Sequence, residues 1–265
     1  MRLIKLFAAL ITLTALWVDA NAQVAGPGVV AVPAVRKLAA SAIPFIISPT
    51  GTMANNGADT LGTALPTTYA NAFIYLPAGA IASGIPAAAT WYFTQCSSTT
   101  VCTICNSTYT SGQPSIPGSC TAFSTTGPGA YTGVTTTVIG PQITIPAGVL
   151  GPNGVVRLSQ LWSVSGTTNS KILSSTIGGT TVYSNTLSSA TQFGASALTT
   201  VWNRGSQTSN IGLSTTASGL GASTQANIFL SINFGAAQIF TLSGQLAVAT
   251  DYLVMEAFQI EATSG

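Results

Sequence analysis

The side chains that most often carry enzyme chemistry are scarce in this sequence. It has no histidine, and no Asp or Glu lies between Asp59 and Asp251. General acid–base catalysis needs a group that titrates near the working pH, and catalytic metals need imidazole, carboxylate or thiolate ligands. Across that long interval the cations are Arg157, Lys171 and Arg204, and the remaining polar groups are hydroxyls, amides and thiols. A Ser-His-Asp triad cannot be assembled, and neither a Gly-x-Ser-x-Gly elbow nor a phosphate-binding Gly-x-x-x-x-Gly-Lys loop occurs. Thr168 stands where a Ser-x-x-Lys arrangement with Lys171 would need serine. Asp251, Glu256 and Glu261 are close in sequence, so a glycosidase pair would have to come from them. Their spacing reads instead as a turn residue followed by solvent-facing positions on or just after a last strand. No catalytic residue, metal site or cofactor is expected, and the chain reads as a non-enzymatic protein that folds, assembles and presents a surface.

The thiols are the second group with chemistry to offer. Cys96, Cys102, Cys105 and Cys120 form one cluster. Four thiolates with a Cys-x-x-Cys unit suit zinc or a redox centre, but structural zinc sites usually present two close pairs, and here the outer spacings are irregular. An even cysteine count in an exported chain points to disulfides. Four cysteines allow three pairings. A hairpin of 90–96 with 101–105 would set Cys96 opposite Val101 and one position from Cys102, favouring Cys96 with Cys102 and Cys105 with Cys120.

Export is expected from the N-terminus. Arg2 and Lys5 precede an apolar run over 6–18, and Ala20-Asn21-Ala22 gives a small-x-small cleavage pattern before Gln23, so 1–22 reads as a signal peptide. The run is shorter than the roughly 20 apolar residues of a bilayer span, so no integral membrane segment is expected after cleavage. The following Gly/Pro/Ala/Val stretch, 23–43, reads as a linker or stalk.

Beyond it the composition is that of a folded β protein. Charged residues make up 5% of the chain, and a net charge of +2 gives no electrostatic claim on nucleic acid. Mean hydropathy is positive, unlike that of disordered chains. Short apolar runs recur between turn residues at 72–76, 90–96, 101–105, 142–145, 155–164, 171–177, 180–185, 198–203, 227–234, 238–241 and 252–260, which is strand spacing. Asn153-Gly154 and Gly178-Gly179 each read as two-residue hairpin turns. Along 155–162, Val156, Leu158 and Trp162 share one face and Arg157 and Ser159 the other, which places Trp162 in a core. Trp202 and Arg204 take no assignable face, and the scattered cations read as solubilising or edge-protecting groups as readily as binding groups. The fold class expected is all-β: an antiparallel, jelly-roll-like β-sandwich over 139–265, preceded by a smaller β-rich region with the cysteine cluster over 44–138. An outer-membrane barrel would need longer alternating strands and aromatic girdles, which the sequence lacks.

One resemblance bears on role. The run Ile145-Pro146-Ala147-Gly148-Val149-Leu150-Gly151-Pro152-Asn153-Gly154, with Arg157, Leu161-Trp162-Ser163, Asn169-Ser170-Lys171, Gly178-Gly179-Thr180 and Asn203-Arg204-Gly205, resembles a β domain recurrent in tailed-phage structural proteins. The stretches Thr63-Ala64-Leu65-Pro66, Tyr75-Leu76-Pro77-Ala78-Gly79-Ala80, Tyr109-Thr110-Ser111-Gly112 and Gly127-Pro128-Gly129-Ala130-Tyr131 resemble a module that accompanies it in tail-fibre-like and other virion proteins. Together these cover roughly 44–265. The resemblance implies a virion or fibre component that is often oligomeric and supplies no catalytic residues. A homo-oligomer, a trimer or another assembly that covers sheet edges, is expected, with a host-surface glycan or protein as partner. The alternative is an exported bacterial surface or matrix protein with an adhesive β-sandwich.

Overall fold

A computed structural model describes residues 34–47, 49–77, 90–123, 129–213 and 227–265. The proposed signal peptide and the first part of the proposed linker lie outside them. The described residues form β-strands joined by turns, with no helix, in two sheets. The chain is all-β, as expected.

The C-terminal half is a sandwich. Its first layer contains β10 (Val155–Val164), β13 (Gly194–Asn203), β14 (Asn210–Gly212), β15 (Ile228–Leu230) and the long last strand β17 (Leu253–Thr263), in the order β15-β14-β13-β10-β17. Its second layer has the order β12-β11-β16-β9, from β9 (Val138–Ile145), β11 (Lys171–Ile177), β12 (Thr180–Leu187) and β16 (Gln238–Leu246). Alternation along β10 explains the packing: Val156, Leu158, Trp162 and Val164 turn inward to meet Leu173, Ile177, Tyr183, Phe240 and Leu242 of the second layer, while Arg157, Ser159 and Leu161 turn outward.

The expected boundary at 138/139 is not a structural break, because residues 35–265 form one compact unit. Strand β9 runs through it, and the two regions are joined in the first sheet by β17. Its first residues pair with β2 (Phe45–Ile47), and its later residues pair on the same edge with β1 (Val35–Ser41). Residues 35–41, expected to belong to a linker, are therefore a strand. Their sequence, VRKLAAS, has no apolar alternation, and only Ala39 and Ser41 are buried; the edge of β17 supplies the order. From β2 the first sheet continues through β5 (Ala72–Leu76), β6 (Thr90–Cys96), β7 (Val101–Tyr109), β4 (Ala58–Leu61), β3 (Gly51–Met53) and β8 (Gly129–Tyr131). The β2–β5 pair, in the region expected only to be β-rich, is parallel.

At this end both faces of the sheet are covered. Phe45, Phe73 and Phe93 face the sandwich core, whereas Ile46, Ile74 and Tyr92, one residue along each strand, join a second cluster with Met53, Leu61 and Tyr131. Ile46 and Met53 lie on strands five places apart in the sheet order yet share that cluster, so the sheet curls onto its own face.

The two expected hairpin turns behave differently. Gly178 and Gly179 both take positive φ, 56° and 79°, and join β11 to β12 as a two-residue hairpin. Neither Asn153 nor Gly154 takes a positive φ. Their turn carries the chain from β9 in one sheet to β10 in the other, so it closes no hairpin.

Candidate functional site

The chemically distinctive residues fall into three interior groups and one surface group. In the first, Cys96 is disulfide-bonded to Cys102 and Cys105 to Cys120. All four expected cysteines are engaged, which leaves none of their thiolates for zinc or for redox exchange. The pairing matches the expectation, but the register differs by one residue: Cys96 lies opposite Cys102 itself, with 97–100 as the connection. Ser98 stabilises that connection by accepting from the Thr100 and Val101 amides through Oγ.

The second group corrects the sequence reading. Lys171 and Asp251 are not exposed; both are buried and form an ion pair at 3.5 Å. Lys171 Nζ also donates to Thr167 Oγ1, Thr167 O and Asn169 O at 2.8, 3.1 and 2.8 Å, and Thr167 Oγ1 donates to Asp251 Oδ2 at 2.8 Å. An ammonium with its donors so committed is a structural cation that ties the start of β11 to the turn before β17. Desolvation is offset here by partners rather than by solvent, which is how a charge becomes tolerable in a core.

The third group went unnoticed in the sequence. Asp59 on β4 is fully buried, and Tyr131 on β8 donates to its Oδ2 at 2.7 Å. Burial pushes its carboxyl pKa up to about 7, against a smaller lowering by the Tyr131 hydrogen bond. Its Oδ1 has no partner, a position that the protonated form fills at least cost. The two glutamates are likewise occupied. Tyr69 donates to Glu256 Oε1 at 2.6 Å, and Gln259 Nε2 donates to Glu261 Oε1 at 2.6 Å.

The surface group lies on the outer face of the first sheet, the side away from the second layer. Strand register places its residues in rows. One row runs Val35, Thr263, Val155, Trp202, Ile211, Phe229 across β1, β17, β10, β13, β14 and β15. The adjacent row runs Lys37, Glu261, Arg157, Thr200. Trp202 is 40% exposed and Phe229 71%, and the Arg204 guanidinium lies over the Phe229 ring at 5.2 Å. Further along the same strands an open trough of about 530 Å³ is lined by Lys37, Ser159, Leu161, Ser196, Ala257 and Gln259. Small Ala and Ser side chains leave this depression in the sheet surface.

Of the residues singled out in the sequence, the structure thus gathers Arg157, Trp202 and Arg204 on one face, sends Trp162 to the core with its Nε1 donating to Gln160 Oε1 at 3.0 Å, and buries Lys171. Lys37 and Phe229 were missed because the rows depend on pairing between strands far apart in sequence. Among the described residues no helix is long and apolar enough to cross a membrane. No protein-family model, no curated protein and no solved structure matches this chain.

Proposed function

We propose that the protein is a non-enzymatic structural and receptor-binding component, of the kind that fibre-like virion parts exemplify, and that it binds a cell-surface glycan through the outer face of its large sheet. The observation that carries this reading is the make-up of the trough. It is lined by Ser, Ala and Gln side chains together with Leu161 and Lys37, while Asp59, Asp251, Glu256 and Glu261 are each held by a neighbouring side chain. A rigid sheet face on which Lys37 and Arg157, and no second carboxyl group, flank Glu261 suits binding, and glycoside cleavage ordinarily needs two opposed carboxyl groups. Incubating the purified chain with bacterial surface polysaccharides tests the reading. Retention of polymer without release of new reducing ends is expected; sustained cleavage with turnover would overturn it.

The two disulfides favour a second reading, an exported bacterial surface or matrix protein, because such bonds persist in oxidising compartments. Either form is expected to be a homo-oligomer, a trimer being one solution that covers sheet edges. Mass spectrometry of purified phage particles beside cell-envelope and medium fractions separates them: recovery in particles supports the virion component, recovery only in envelope or medium the surface protein.

A further inference from the structure

We propose that the outer-face site is selective for an acidic polysaccharide, a polymer bearing carboxylate groups, laid across the strands. This rests on the glycan-binding reading and adds the charge class and the footprint. The argument begins with where the cations are. The described residues contain five, Arg36, Lys37, Arg157, Lys171 and Arg204. Lys171 is neutralised in the interior by Asp251. Lys37 and Arg157 share one row of the outer face, and Arg204, just past the end of β13, lies over Phe229 of the adjacent row. In a chain with so few charges, that grouping on one face is the main electrostatic feature among the described residues.

The one carboxylate among them offsets it only in part. Glu261 sits between Lys37 and Arg157 in register and keeps its negative charge, since the Gln259 amide that donates to its Oε1 is neutral, but it stands against three cations and neither Lys37 nor Arg157 closes to ion-pair distance with it. Two exposed cationic heads are thereby left facing solvent across neighbouring strands, and a third is spread over Phe229. Beside them Trp202, Ile211 and Phe229 form an apolar strip on three consecutive strands. Sugar rings present CH faces that lose water favourably against such a strip, while carboxylates on the same polymer meet Lys37, Arg157 and Arg204. The platform from β1 to β15 crosses six strands, about 24 Å at normal strand spacing, and the trough continues it along β10 and β17. That extent fits a chain of sugars better than a single one.

The experiment compares binding of the whole chain to alginate, a polyuronate, with neutral dextran and a single-stranded oligonucleotide at about 0.15 M salt. Alginate binding that weakens with salt and exceeds binding to the other two is expected. The Arg157→Gln/Arg204→Gln double variant is expected to lose about tenfold or more in affinity and part of the salt dependence, and Trp202→Ala to weaken alginate binding with the salt dependence kept. Arg36→Gln removes an equal charge whose side chain points to the opposite side of β1 and is expected to change affinity less than about twofold. Circular dichroism and an unchanged melting temperature verify that the variants fold. Preference for dextran would overturn the acidic selectivity and leave the glycan reading standing, and binding to neither polymer would overturn both. Equal loss in Arg36→Gln, or equal or tighter binding of the oligonucleotide, would overturn the site as a polysaccharide site.

Discussion

The large sheet has one end buried on both faces and one end buried on a single face, and the strand sequences differ accordingly. At the doubly covered end, Phe45-Ile46-Ile47 on β2 and Ala72-Phe73-Ile74-Tyr75-Leu76 on β5 are near-continuous apolar runs that feed two cores. At the open end, β10 reads Val-Val-Arg-Leu-Ser-Gln-Leu-Trp-Ser-Val and buries alternate residues. A continuous run is required where two layers must be filled; alternation leaves a face free for something else. The proposed site lies on that free face, built on a sheet whose other side fixes it.

The contrast is broken most severely by emptying the covered end. Phe73 is buried, stacks on Phe45 with ring centroids 5.1 Å apart and meets Phe93 edge-on at 5.7 Å. Phe73→Ala is expected to cost about 4 kcal/mol through lost transfer energy and a residual cavity. Leu161→Ala on the open face is expected to cost less than about 1 kcal/mol, because a half-exposed side chain loses little burial. Urea denaturation of both variants measures the difference. Similar costs at the two positions would mean that the open face is covered in the folded protein.

Next in size is the link between the layers. Lys171→Ala leaves Asp251 buried without its cation, with an expected loss of about 3 kcal/mol in the same denaturation assay. Replacing both partners, as in Lys171→Met with Asp251→Leu, is expected to recover much of it, since the desolvation cost disappears together with the attraction. A double variant as unstable as the single would show that the Thr167 and Asn169 contacts, rather than the charge pair, hold this corner.

What the sequence discloses follows the same division. Strand periods locate β5, β6, β10 and β11 at their observed bounds, and Gly178-Gly179 predicts its hairpin, because these are decisions made within a few residues. Asn153-Gly154 misleads for the opposite reason: the dipeptide permits a tight turn, but pairing partners more than thirty residues away assign β9 and β10 to different sheets. Strand β1 is invisible because VRKLAAS carries no pattern of its own. Lys171 and Asp251 look like surface charges until an 80-residue separation is closed. The candidate site suffers from the same limit. Arg157, Trp202 and Arg204 stand out by rarity, whereas their common face with Lys37 and Phe229 exists only once register is known.

The smallest effect probes the one carboxylate sealed inside the covered end. Asp59 has a folded-state pKa of about 7, raised from 3.8 mainly by burial. Between those values the folded chain holds a proton that the unfolded chain releases, so stability must fall as pH rises through this window and level off above it. From pH 5 to pH 7 the loss attributable to this group is about 2 kcal/mol. Asp59→Asn keeps an acceptor for the Tyr131 hydroxyl and removes the ionisation. Its stability is expected to be nearly flat over that range, above the parent at pH 7 and close to it at pH 4. Denaturation midpoints at pH 4, 5, 6 and 7 for both chains provide the measurement. A parent curve that rises with pH, or a variant that keeps the parent's slope, would show that Asp59 is ionised in the folded protein and that the covered end is wetter than its packing implies.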